Sequence, residues 1–189
     1  MRFLFLFLIS FSAFGRDCKP VSMEEFTGRL QDVQERYFPE FKDLSIIVTI
    51  FRSDAYFLQA QPKIKTLFNK RSQRIYEVQL NTKLLDCPPT SAGLEAILVH
   101  ELEHIRDYTG WSSTRIAKHG LRYSFNCDMR IGYERATDLR VLEFGLHQGL
   151  IDYRHWVYEK LTPKELKKKE KIYLTPREIE EHRDASYIL

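Results

Sequence analysis

The sequence lacks internal repeats, low-complexity linkers and any abrupt change of composition along its 189 residues. These absences leave no boundary at which the chain would divide into two domains. The net charge at pH 7 is only +3, which is too small to indicate nucleic-acid binding. Since 43% of the residues are hydrophobic and 29% are charged, the composition is typical of one globular domain with a substantial core. The C-terminal basic cluster is interpreted as a solvent-exposed face formed by Lys167, Lys168, Lys169 and Lys171.

A hydrophobic run long enough to span a bilayer is also missing. The N-terminal apolar stretch covers only residues 3–14, whereas a transmembrane helix needs about 20 residues. It follows a single arginine, and Ala13 and Gly15 provide the small side chains expected at a cleavage site. We therefore predict that residues 1–15 are a signal peptide and that residues 16–189 form one exported domain. This domain is expected to be periplasmic or extracellular and to have no stable membrane anchor.

Cysteine is scarce, and the three residues, Cys18, Cys87 and Cys127, show no C-x-x-C spacing. A cysteine-based zinc site is therefore not indicated. In the oxidising compartment expected after export, one disulfide and one free thiol are compatible with the sequence, and three pairings are open. A bridge between Cys87 and Cys127 would brace the segment between them, whereas three unpaired, partly buried thiols are an equal alternative.

Strand and helix signals occupy different parts of the chain. The β-branched segment 44–51 predicts a strand, and segments 63–68 and 74–85 predict two more. Helices are predicted from Val21 to Tyr37, from Thr90 or Ser91 to Gly110, from Asp128 to about Gly145, over 150–161, and from proline starts within Thr162–Glu165 and Thr175–Glu178. Strands followed by helices predict an α+β fold with a small N-terminal sheet and a mainly helical C-terminal half.

One predicted helix, LEAILVHELEHIRDY at residues 94–108, contains an H-E-x-x-H motif. Its two histidines, His100 and His104, are four residues apart and project from one face of the helix, where they can share one ion. Glu101 lies beside that position, where a carboxylate can take a proton from a water that the ion activates. At about 100° per residue, Glu101 falls among apolar positions and Glu103 falls outside them. An unpaired ionisable side chain is costly among apolar positions, so packing does not account for Glu101.

A second acidic motif lies downstream in YERATDLRVLEFG, residues 133–145. Glu134 and Asp138 are four apart on the core-facing edge of a predicted helix. Glu134 can therefore complete the ligand set, and Asp138 can accept a hydrogen bond from a ligand histidine. The continuation H-E-x-x-H-x-x-G-x-x-H is excluded, because it needs glycine at Asp107 and histidine at Gly110. Other sources of the third ligand remain open, namely Glu143, His119 and His147.

Together, H-E-x-x-H and a downstream E-x-x-x-D resemble the gluzincin branch of the zincin metallopeptidases. The resemblance covers about residues 75–145 and implies a zincin-like fold, in which a small twisted sheet has its edge strand beside the cleft and two ligand-bearing helices follow. It implies Zn²⁺ as the cofactor and a peptide or protein as the substrate, bound along an edge strand best matched by Tyr76–Thr82. The implied roles are zinc ligand for His100, His104 and Glu134, general base for Glu101, and orientation of a ligand for Asp138.

The implied reaction is hydrolysis of a peptide bond by a metal-activated water, with Glu101 as general base. One part of the family pattern is missing, because no histidine or tyrosine can be matched to the residue that would stabilise the oxyanion. The side chains available for that role are Tyr123, Tyr133, His119, His147, His155 and His182. This gap motivates an alternative from another class, a non-catalytic binding or structural protein that is stabilised by zinc and has a zincin-like fold.

Overall fold

Residues 18–186 are described by the structure, a computed structural model, and the predicted signal peptide at residues 1–15 lies outside this range. The helices are α1 (Met23–Tyr37), α2 (Thr82–Asp86), α3 (Ser91–Gly110), α4 (Ser113–Phe125), α5 (Cys127–Glu143), α6 (His147–Tyr158), α7 (Pro163–Ile172) and α8 (Pro176–Ser186). The strands are β1 (Ser45–Phe51), β2 (Leu58–Pro62) and β3 (Ile75–Asn81). The predicted α+β class is confirmed. None of the described helices has both the length and the apolarity to cross a membrane.

The sheet has β3 at its centre, with β1 parallel to it on one side and β2 antiparallel on the other. Tyr76, Val78 and Leu80 alternate along β3 and are buried, as the period of two predicts. The expectation that Tyr76–Thr82 is the edge strand beside the cleft is wrong. β3 is paired on both sides, Thr82 already begins α2, and β2 is the edge strand that borders the cleft.

Two further differences concern short segments before β3. The strand predicted at 63–68 is wrong, because this segment forms a 3₁₀ turn over Ile64–Thr66 and leaves Phe68 78% exposed. Strand β2, with the sequence LQAQP, is absent from the prediction. Its buried Leu58 and Ala60 alternate with partly buried glutamines, and it ends in a proline that an edge position tolerates. Pairing with β3, rather than intrinsic propensity, therefore defines this strand.

Helix α3 packs against α6, β2, α5 and α1. The side chain of Thr90 caps it, since Oγ1 accepts a hydrogen bond from the backbone N–H of Gly93 at 3.0 Å. Helix α6 crosses closely at Gly149, where a Cβ atom would lie only 2.4 Å from the carbonyl oxygen of Ala92. Close packing of this kind makes α3 a rigid support for the side chains that it presents to the cleft.

A disulfide joins Cys18 to Cys87, two residues whose Cα atoms are 4.8 Å apart. Both the bridge between Cys87 and Cys127 and the alternative of three unpaired thiols are therefore wrong. Cys127 is free and exposed at the start of α5. The bridge fastens the N-terminal segment to the turn that precedes α3, and Trp156 Nε1 of α6 donates to the carbonyl oxygen of Cys87 at 2.8 Å.

The last two helices return the chain to the centre of the molecule. Thr162 and Glu165 form the capping box of α7, and α8 begins at Pro176. Between these helices, the backbone N–H of Leu174 donates to Asp138 Oδ2 of α5 at 2.9 Å. The C-terminal segment therefore reaches the acidic pair that the sequence singled out.

Candidate metal centre

Helices α3 and α5 place the three predicted metal ligands next to one another. His100 and His104 lie one turn apart on α3, and Glu134 lies on α5, which Asn126 rather than Asp128 caps. The two histidine Nε2 atoms are 3.1 Å apart, and Glu134 Oε2 lies 3.1 Å from His100 Nε2 and 3.4 Å from His104 Nε2. The side chains are buried, with exposed fractions of 2%, 6% and 3% for His100, His104 and Glu134.

This geometry fits a tetrahedral metal ion. Ligand atoms about 2.0–2.1 Å from zinc at tetrahedral angles are about 3.3–3.4 Å from each other, close to the separations observed. Two Nε2 atoms that face each other at 3.1 Å compete for one proton, whereas an ion between them would use both lone pairs. The group could therefore hold a metal ion.

Asp138 orients the first of these histidines. Its Oδ1 atom lies 2.9 Å from His100 Nδ1. This contact leaves His100 Nε2 directed at His104 and Glu134, which together with His100 are called the ligand group below. Asp138 is in turn held by the guanidinium of Arg154, whose NH2 group lies 2.7 and 2.8 Å from the two carboxylate oxygens. Burial raises the pKa of Asp138, but the charge of Arg154 and the contact with His100 lower it by more. The net pKa is below its usual range, so this carboxyl group is ionised.

The pKa of His100 reflects the same surroundings. Burial lowers this pKa, but Asp138 and Glu134 outweigh burial and raise it to about 10. The pKa of Glu134 is held well below its usual range, because the histidine contacts overcome the effect of burial. A metal ion entering this site must therefore displace a proton from the cluster.

Glu134 also has a partner for its second oxygen. Tyr123 of α4 donates its hydroxyl to Glu134 Oε1 at 2.5 Å, while Oε2 faces the histidines. This contact leaves one carboxylate oxygen for an ion. Burial and the adjacent Glu134 raise the pKa of Tyr123, so its hydroxyl keeps the proton that it donates.

Glu101 lies on the cleft side of α3 and is 5% exposed. Burial raises its pKa, while His104, His100 and a backbone contact with Ala60 of β2 lower it in part. A carboxyl group with a raised pKa beside a metal ion suits both acceptance and return of a proton. The structure thus puts the predicted general base between the ligand group and the edge strand.

The cleft above the ligand group has a volume of about 640 Å³. Strand β2 lines this cleft, and helix α4 lines it with Ile116, His119 and Leu121. Gln59 and Gln61 of β2 are partly exposed, and Leu121 of α4 is 63% exposed. An extended chain could therefore lie between β2 and α4, directly over the ligand group.

Three of the side chains considered for the oxyanion line this cleft, namely Tyr123, Tyr133 and His119. Tyr133 stacks on His104 with ring centroids 5.0 Å apart, and His119 contacts Tyr133 edge-on at 4.4 Å. Burial lowers the pKa of His119 and favours its neutral form. His147, His155 and His182 do not line the cleft.

Three residues at the site escaped the sequence analysis: Arg154, Tyr173 and Lys169. Arg154 could have been suspected, because a core-facing acid such as Asp138 needs a partner. Tyr173 lines the cleft with its ring centroid 6.0 Å from that of His100, but no spacing links it to the motif. The interpretation of Lys169 as solvent-exposed is wrong, since its Nζ atom lies 3.9 Å from the ring centroid of Tyr56 and its side chain is partly buried.

No family model, curated protein or solved structure matches the chain.

Proposed function

We propose that the protein is an exported zinc-dependent peptidase of the gluzincin type. The observation that carries the proposal is the buried cluster of His100, His104 and Glu134, whose ligand atoms have tetrahedral spacing at the floor of a large cleft. Glu101 on the same floor supplies a carboxylate where peptide hydrolysis needs a base. Two imidazoles and one carboxylate are a ligand set common in catalytic zinc sites, which keep a fourth position open.

A zinc ion bound to this cluster would activate a water molecule and polarise the carbonyl group of a peptide bond. Glu101 would accept a proton from the attacking water and pass it to the leaving amine. Asp138 keeps the proton of His100 on Nδ1, so that Nε2 remains a ligand, and Tyr123 fixes the rotation of the Glu134 carboxylate.

The substrate is expected to bind as an extended strand beside β2, rather than beside Tyr76–Thr82, the segment that the family resemblance implies. An edge strand has unpaired backbone N–H and C=O groups that can bind a peptide chain. Gln59 and Gln61 of β2 also line the cleft. This arrangement would carry the peptide across Glu101.

The protonated hydroxyls at the cleft favour catalysis over the non-catalytic alternative. Burial raises the pKa values of Tyr123, Tyr133 and Tyr173, and all three line the cleft. Such hydroxyls can donate to a developing oxyanion. A purely structural zinc site usually closes its fourth position with a protein ligand, whereas the cluster found among residues 18–186 has three.

The disulfide between Cys18 and Cys87 supports export, because such bridges persist mainly in oxidising compartments. Only two residues, Arg16 and Asp17, separate the predicted signal peptide from Cys18. Both features favour a periplasmic or extracellular enzyme.

The decisive experiment measures zinc per chain for the mature protein and for Glu134→Ala, both purified without chelator. We expect one zinc in the parent and a large loss in the variant, together with chelator-sensitive cleavage of a mixed peptide set by the parent. Zinc without cleavage of any peptide or protein substrate would favour the non-catalytic alternative. A folded parent that fails to take up added zinc would overturn the proposal.

A further inference from the structure

Lys169 differs from the other lysines of α7. Lys167 and Lys168 are exposed, whereas the side chain of Lys169 is partly buried between two tyrosine rings. Its Nζ atom lies 3.9 Å from the ring centroid of Tyr56 and 5.1 Å from that of Tyr173. Both tyrosines line the cleft, so this ammonium group lies at the boundary of the candidate active site.

This cation has no anionic partner among residues 18–186, where no carboxylate lies within 4.0 Å of Lys169 Nζ. The neighbouring cation, Arg154, differs in being paired with Asp138. Burial and the charge of Arg154 lower the pKa of Lys169 to about 7, although the more distant Glu134 and Glu101 raise it in part. A desolvated ammonium group without a counter-charge is costly, and an anion bound beside it would remove that cost.

Lys169 shares a small cavity with residues of the candidate active site. It lines a small cavity of about 30 Å³ together with His100, Glu101, Tyr56 and Tyr173, and these four also line the main cleft. A cavity of this size admits a small polar group such as a carboxylate, but not a bulky side chain. Lys169 therefore lies on the side of the candidate ligands where Glu101 lies, and no residue of α4 lines this cavity.

In the proposed reaction, Glu101 passes its proton to the leaving amine, so the leaving fragment of the peptide lies on the Glu101 side. A carboxylate on that fragment would meet the ammonium group of Lys169. The hydroxyl of Tyr173, which lines both the small cavity and the main cleft, can donate a hydrogen bond to the same carboxylate.

We propose that Lys169, with Tyr56 and Tyr173, forms a subsite for a carboxylate on the leaving fragment of the substrate. This inference rests on the peptidase reaction proposed above. The carboxylate can be the C-terminal group of a short fragment or an acidic side chain close to the cleaved bond. In either case Lys169 determines specificity and does not act on the reacting atoms.

The test uses the zinc-loaded mature protein carrying Glu101→Gln, which binds peptides without turnover. The probe is a set of synthetic peptides of mixed sequence, each prepared with a free C-terminal carboxylate, with a C-terminal amide, and with Asn and Gln replacing Asp and Glu. Retained peptides are quantified by mass spectrometry. We expect carboxylate forms to be retained about tenfold over their neutral counterparts, as for one charge-assisted contact.

Lys169→Met keeps the length of the side chain and should reduce this preference to about one. Lys168→Met removes the same charge from an exposed neighbour and should leave the preference unchanged. Loss of retention on amidation assigns the subsite to the C-terminal carboxylate, and loss only on replacement of Asp and Glu assigns it to a side chain. The inference is overturned if Lys169→Met prefers carboxylate over neutral peptides as strongly as the protein with Lys169 does. It is also overturned if no peptide is retained.

The proposed function is tested separately, by cleavage of the same peptides by the parent protein. Retention that depends on Lys169 without any cleavage would leave a carboxylate-binding site and refute the peptidase reaction. Cleavage without dependence on Lys169 would refute only the subsite. A third pattern, in which Lys169→Met slows cleavage of charged and neutral peptides equally, would indicate oxyanion stabilisation and contradict the subsite.

Discussion

Helix α3 carries two buried glutamates, Glu101 and Glu103, whose surroundings differ. Glu103 is fully buried and forms ion pairs with Arg106 at 2.7 Å and with Arg140 of α5 at 2.8 Å. Glu101 is also buried, but no lysine or arginine among residues 18–186 lies within 4.0 Å of it, and it borders the cleft. Burial alone therefore does not mark a catalytic acid. The difference is that two arginines pair with Glu103, whereas Glu101 has no such partner and borders the cleft beside the candidate ligands.

The largest effect is expected from Glu101→Gln, which removes the base and keeps the shape of the side chain. Turnover should fall by about 10² to 10⁴, because a positioned general base contributes that much. Zinc content should remain at the parental value, since Glu101 is not a proposed ligand. Steady-state kinetics and metal analysis on the same preparation test both statements. Retained turnover would sink the general-base assignment.

Glu103→Gln is the matched change on the other side of α3. It removes the carboxylate shared by Arg106 and Arg140, although Arg140 keeps its pairing with Asp107. Because both arginines are partly exposed and burial raises the pKa of Glu103, we expect the free energy of unfolding to fall by only about 1 kcal/mol. Activity per folded chain should change little, because Glu103 does not line the cleft. Urea denaturation measures the loss, with the exposed Glu24→Gln as control. If Glu103→Gln also abolished turnover in folded protein, the contrast between the two glutamates would be wrong.

Asp138→Asn tests whether Asp138 supports zinc binding through its contact with His100. The amide keeps the size of the side chain but lacks the charge that holds the proton on His100 Nδ1 and pairs with Arg154. Zinc affinity should fall by about 10- to 100-fold, as for other partners of ligand histidines. Competition with a chromophoric chelator measures this affinity, and circular dichroism verifies the fold. An unchanged affinity would show that Asp138 serves the packing of Arg154 alone.

The smallest effect is expected from Tyr123→Phe, which removes the hydroxyl that donates to Glu134 Oε1. One hydrogen bond of this kind contributes about 1 kcal/mol, so zinc affinity should fall about fivefold. The same chelator competition measures it, and Tyr158→Phe, outside the cleft, serves as the control. A large loss of turnover with normal zinc affinity would instead assign Tyr123 to oxyanion stabilisation.

The ligand group could be anticipated because helical periodicity relates residues that are close in sequence. His100 and His104 share a face by their spacing alone, and Glu134 was indicated by an acid on a core-facing edge. Helical periodicity predicts that Glu103 lies outside the apolar positions of α3. It is nevertheless fully buried, because Arg140 on another helix supplies its partner. A charge pair between distant segments leaves no periodic signal in the sequence.

The order of the strands in the sheet could not be predicted from the sequence for a similar reason. A pattern of alternating apolar residues identifies β3 as a strand but does not say whether it has one neighbour or two. The short LQAQP segment becomes a strand only by pairing with β3, so its role at the cleft could not be foreseen. The same holds for Lys169, whose burial depends on Tyr56, more than a hundred residues earlier in the chain.

The disulfide between Cys18 and Cys87 closes a covalent ring over a sequence separation of 69 residues, and this ring contains α1 and the whole sheet. In the chain-entropy description, closing a ring of this length in the unfolded state contributes about 4 kcal/mol to stability. The helices that carry the candidate ligands lie outside the ring. The bridge therefore restricts the chain that carries β2, one of the elements lining the cleft, whereas the two helices that carry the candidate ligands are not enclosed by it.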